Sequence, residues 1–157
     1  MNETEGLPES ASETWYQLVD EAEKQAEEYH DRGWTAMAVH PGDITPVDTD
    51  DQFGLNALAP DSEYDRVRSL VAGHTFDRSH VYRRTDGDLR FFLCVFESTA
   101  DEVAVLVPAY VTETELEMLF PRAQETGEIH VLVRPLEYEE RATLTVADPD
   151  LFFDPEV

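Results

Sequence analysis

The chain has 157 residues, 41% of them hydrophobic and 10% aromatic, and sets 35 acidic residues against 11 basic ones for a formal net charge of −24. Its length suits one domain, its apolar content is too high for an acidic disordered chain, and a single cysteine, Cys94, excludes an intramolecular disulfide. Like charge at this density repels itself in dilute buffer and is screened at molar salt, where the Debye length is about 3 Å. Lys24 is the only lysine, so the remaining basic residues are arginines. The composition therefore points to the cytoplasm of a salt-accumulating organism. No basic-then-apolar leader and no run of about 20 apolar residues is visible, so a soluble cytoplasmic protein is expected.

Residues 1–10 are expected to form a disordered acidic tail, and residues 11–157 one α+β domain. Ser10 and Glu13 fit a capping box, with Ser12 as a rival cap. Trp15, Leu18, Val19, Ala22, Ala26 and Tyr29 then fall on one helical face, and Gly33 closes the helix. Trp34–His40 reads as a strand stopped by Pro41-Gly42. A long acidic loop to about Gln52 follows, holding Asp43, Asp48, Asp50 and Asp51. Phe53–Ala59 reads as a strand, and Asp61 as the cap of a helix carrying Tyr64, Val67, Leu70 and Val71 up to Gly73.

A β-meander occupies the middle. Phe76–Arg84 and Leu89–Glu97 flank Asp86-Gly87, a strong hairpin signal, and Glu102–Tyr110 follows. Thr112 and Glu115 form a second capping box, opening a helix with Leu116, Leu119, Phe120 and Ala123 in which Pro121 predicts a kink or a restarted turn. Strands at 128–134 and 141–147 follow Gly127, and the apolar Leu151-Phe152-Phe153 is expected to dock back on the domain. Strands grouped in hairpins argue for an α+β fold with a largely antiparallel sheet of about five to seven strands and three helices, strand order left open.

Few residues carry a chemical signature. A metal or small-molecule site, if present, belongs beside the 40–52 loop, where His40, Asp43, Asp48 and Asp50 offer ligands suited to Mg²⁺ or Ca²⁺. The spacing matches no EF-hand, and a chain with 35 acids produces such clusters without function, so no cofactor is assigned. The histidines lack zinc-site spacing. Cys94, on a strand apolar on both faces, reads as an inert core thiol. Phosphate-loop, dinucleotide and serine-elbow motifs are absent.

Alternation puts Arg78, His80, Tyr82 and Arg84 on one strand face, so Arg78, Tyr82 and Arg84 are candidates for contact with an acidic or phosphorylated ligand or partner. Arginines in an acidic chain also serve as internal ion-pair partners, and nucleic acid is disfavoured because molar salt erodes phosphate binding. Two functional readings follow. The first is a non-enzymatic protein-binding or regulatory module. The alternative is a metal-dependent hydrolase built on the carboxylates of the 40–52 loop with His40.

His40-Pro41-Gly42-Asp43 after an aromatic-rich first helix, Val107-Pro108-Ala109-Tyr110 before the second capping box, His130 to Pro135, and Phe152-Phe153-Asp154-Pro155 together carry a resemblance. On these the chain resembles a family of small haloarchaeal proteins of unknown function over nearly its whole length. The resemblance implies a salt-adapted origin and no particular activity, cofactor or site.

Overall fold

The computed structural model describes residues 9–136 and 141–153. The first helix, α1, spans Glu9–Asp31. Because it begins at Glu9, Ser10 lies inside it and not at its cap, contrary to the capping-box reading. Most of the expected tail, residues 1–8, lies outside the described residues. Trp15, Leu18, Ala22, Ala26 and Tyr29 are all buried, as a 3.6-residue apolar stripe requires.

Three strands precede the second helix: β1 (Thr35–Ala38), β2 (Asp43–Asp48) and β3 (Phe53–Leu58). The acidic loop expected between residues 40 and 52 is thus largely the strand β2, turning back through residues 49–52 to pair antiparallel with β3. Helix α2 is Asp61–Gly73, and its N-cap is Pro60, with no side-chain cap; Asp61 is the first helical residue rather than the cap. The meander β4 (Arg78–Asp86), β5 (Leu89–Ser98) and β6 (Val103–Thr112) follows. Gly87, with φ of 62°, supplies the left-handed turn between β4 and β5.

Helix α3 (Glu113–Thr126) has the full reciprocal capping box of Thr112 and Glu115, and ends on Gly127 in the left-handed region. Pro121 lies within this one helix. Strands β7 (Ile129–Arg134) and β8 (Ala142–Val146) pair antiparallel, and the short α4 (Asp150–Phe153) docks with Phe152 buried.

The eight strands of the described residues form two four-stranded sheets, ordered β1-β6-β5-β4 and β2-β3-β7-β8. The expected α+β class, mostly antiparallel pairing and three longer helices are found, with the strands divided between two mixed sheets rather than gathered in one. Four of the six pairings are antiparallel, while β1 joins β6 and β3 joins β7 in parallel. Alternation sorts the core into two layers. Phe92, Cys94, Phe96, Val105 and Val107 face inward to meet Leu55, Val131 and Leu144 of the second sheet. Phe91, Leu93, Val95, Ala104 and Leu106 face outward under α1. This explains why β5 is apolar on both faces.

Gly54 marks a close backbone approach. Its φ is +139°, and a Cβ there would stand 1.9 Å from the carbonyl oxygen of His130. Only glycine allows β3 and β7 to lie together at that point.

Candidate functional site

A concavity lies between α1 and α2, over the edge of β1. Its volume is about 470 Å³, within the usual range of about 300–1,000 Å³ for small-ligand sites. Ala26 of α1 and Ala36, Met37 and Ala38 of β1 contribute its apolar lining. Glu23, Glu27 and His30 come from α1, His40 from the segment after β1, and Ser62, Glu63 and Arg66 from the start of α2.

His40 is the hinge of this arrangement. Its Nδ1 is 2.8 Å from Glu63 Oε2 and its Nε2 is 3.1 Å from Glu23 Oε2. The backbone N–H of His40 donates to Glu63 Oε1 at 2.7 Å. A carboxylate only accepts, so an imidazole flanked by two of them is best served when both nitrogens carry protons. Burial works against that charged form, but the hydrogen bonds to Glu23 and Glu63 outweigh it and hold the pKa of His40 above its ordinary value. When protonated, the ring ties α1 to α2 through Glu23 and Glu63. His30 Nε2 lies 2.9 Å from the carbonyl oxygen of Ala36, so the free edge of β1 is engaged by side chains. Among the described residues, Glu27 and Arg66 take part in no ion pair.

The set proposed from sequence is only partly assembled. His40 is at the groove, but its partners are Glu23 and Glu63, not Asp43, Asp48 or Asp50. Asp43 and Asp48 stand at opposite ends of β2, about 16 Å apart at the rise of an extended strand. Asp48 accepts from Arg122 at 2.7 Å, and Asp50 lies in the exposed turn beyond. Among the described residues, no three His, Cys, Asp or Glu side chains are grouped to hold a metal ion. Glu23, Glu27 and His30 share one helical face by their spacing, and that much is legible. That this face meets the first turn of α2 depends on the tertiary fold.

The second candidate set does share a face. Arg78, His80, Tyr82 and Arg84 alternate along β4. Arg84 donates to Gln17 Oε1 at 3.3 Å, Arg78 lies 3.7 Å from Glu97, and Tyr82 is half exposed. Sequence reasoning missed Glu97, which is 7% exposed. Its Oε2 accepts from the Tyr29 hydroxyl at 2.5 Å. Burial first, and then this carboxylate, push the pKa of Tyr29 up. Cys94 is fully buried, and burial raises its thiol to about 12, too high for a nucleophile.

The model of DUF7529, a family of unknown function, matches residues 2–154. The chain belongs to this family. No curated protein and no solved structure matches the DUF7529 chain. No helix among its described residues is long and apolar enough to cross a membrane.

Proposed function

We propose that this DUF7529 protein is a non-enzymatic protein-binding module of a halophilic archaeon's cytoplasm, and that the groove between α1 and α2 receives an arginine or lysine side chain of its partner. The observation that carries the reading is an apolar lining of Ala26, Ala36, Met37 and Ala38 beside three glutamates, Glu23, Glu27 and Glu63. A long basic side chain matches this profile: its methylenes cover apolar surface while its head meets carboxylates. Arg66, on the α2 wall, can take a carbonyl of the same bound segment. The halophile setting rests on the net charge of −24 and its need for screening.

Binding is favoured over catalysis because both ring nitrogens of His40 already face carboxylates. Neither offers a lone pair to a substrate proton or to a metal ion while the ring is doubly protonated. The metal-dependent hydrolase reading has less support, since its carboxylates are spread along β2 and the following turn. Calorimetric titration in molar KCl with peptides carrying a central arginine, lysine, norleucine or glutamate tests the proposal. Arginine and lysine peptides should bind, and Glu27→Gln should weaken them at least fivefold. Equal affinity for the norleucine and arginine peptides would refute it.

A further inference from the structure

The four sheet edges of this protein are not protected alike. An unpaired edge is a template for another strand, and folded proteins usually blunt it by shortness, proline, or side chains that occupy the backbone groups. Edge strand β1 has four residues and its Ala36 carbonyl is engaged by His30. Edge strand β2 contains Pro46, and edge strand β8 has five residues. Edge strand β4 has nine residues, without proline or glycine. It pairs with β5 in unbroken register from Arg78–Glu97 to Asp86–Leu89, with no bulge. Among the described residues, the backbone of Arg78–Asp86 makes no backbone hydrogen bond outside that pairing. Helix α4 packs against the inner face, where Phe152 meets Phe92.

We infer that β4 is a docking edge to which an extended acidic segment of a partner protein adds as a fifth strand of the β1-β6-β5-β4 sheet. Charge selects the occupant. In a chain of net charge −24, this strand carries Arg78, Arg83 and Arg84, with His80 between them. Arg78 and Arg84 lie on the α1 side and Arg83 on the other, so an acidic strand meets arginine on both of its faces. Two copies meeting edge to edge would instead set one arginine-bearing strand against another. Strand addition draws most of its affinity from main-chain hydrogen bonds and its selectivity from alternate side chains, so it survives salt that screens charge. Tyr82, 52% exposed at the centre of the strand, supplies an apolar cross-strand contact. This surface is separate from the α1–α2 groove and does not depend on it.

Two nine-residue peptides test the inference. One alternates valine and glutamate. The other has the same charge but proline at every second valine, so it cannot pair as a strand. The full chain, ¹⁵N-labelled in molar KCl, is titrated with each, and amide hydrogen exchange is followed across residues 78–86. The first peptide should bind and protect every second amide of β4, the ones that point outward from the pairing with β5. The proline peptide should bind at least tenfold more weakly, as should the first peptide to Arg83→Glu/Arg84→Glu. Equal binding of both peptides would reduce the effect to charge attraction and overturn the inference. Protection confined to other segments would overturn it too. Concentration-dependent self-association of the free chain with protection of the same amides would replace the acidic partner with a second copy.

Discussion

Replacing Tyr29 by phenylalanine removes one hydroxyl and strands a buried carboxylate. Glu97 is 7% exposed, and its other oxygen, Oε1, has no hydrogen-bond partner. Arg78 and His80 stand 3.7 and 3.6 Å from that oxygen. The Tyr29 hydroxyl at 2.5 Å is therefore the hydrogen bond that compensates Glu97 for lost water. Hydrogen bonds to charged groups are worth about 1.5–3 kcal/mol, and a buried acceptor left alone costs a similar amount. The Arg78 side chain is 60% exposed and can swing closer, which recovers part of the loss. The expected cost of Tyr29→Phe is about 2 kcal/mol, or about 4–8 °C in Tm for a chain of this size. Urea unfolding at fixed molar KCl measures it. Glu97→Leu with Tyr29→Phe completes a double-mutant cycle, whose coupling should reach about 1.5 kcal/mol. A single-mutant cost below about 0.5 kcal/mol, or an additive cycle, would show that Glu97 is compensated by something other than Tyr29.

Three other perturbations have definite outcomes. Gly54→Ala drives a Cβ against the His130 carbonyl and should cost about 4 kcal/mol or abolish folding, whereas Gly42→Ala, with nothing within 4 Å of its Cβ, should change urea stability little. His40 has a folded-state pKa above 6.5, so the stability it contributes is fully present below the unfolded value and is lost as pH rises through the folded one. The stability gap between wild type and His40→Gln, read from urea curves at a series of pH values, should narrow toward alkaline pH; a gap that widens would contradict the clamp. Thermal melting should shift upward from dilute buffer to molar KCl because of the net charge of −24, and a flat or falling Tm would remove the argument for salt adaptation.

Those parts of the fold that rest on local chemistry were readable from the chain. The stripe from Trp15 to Tyr29 marks α1, Thr112 with Glu115 marks the start of α3, and Gly87 marks the hairpin. Of the helix-face residues read from the sequence, Trp15, Leu18, Tyr64, Val67 and Leu119 are buried, while Leu70 is only partly so. Strand β2 was hidden because Pro46 and its terminal aspartates mimic a loop, although proline is acceptable on an edge strand. The division into two mixed sheets was hidden because β1–β6 and β3–β7 pair in parallel across long stretches of chain. His40 stood out by its place after a strand, but Glu23 and Glu63 lie 17 and 23 residues away on separate helices. No local pattern couples such residues.

A methionine methyl group offers a reporter beside the groove. The chain has three methionines; Met37 lines the groove, and Met118 is 67% exposed on α3, away from it. With ¹³C-methyl methionine labelling in molar KCl, an arginine peptide should shift the Met37 methyl signal to saturation and leave Met118 in place. In Glu23→Gln/Glu27→Gln the same titration should fail to saturate. A Met37 signal that does not move, or that moves equally in the double variant, would contradict the assignment of the α1–α2 groove as a site for a basic side chain.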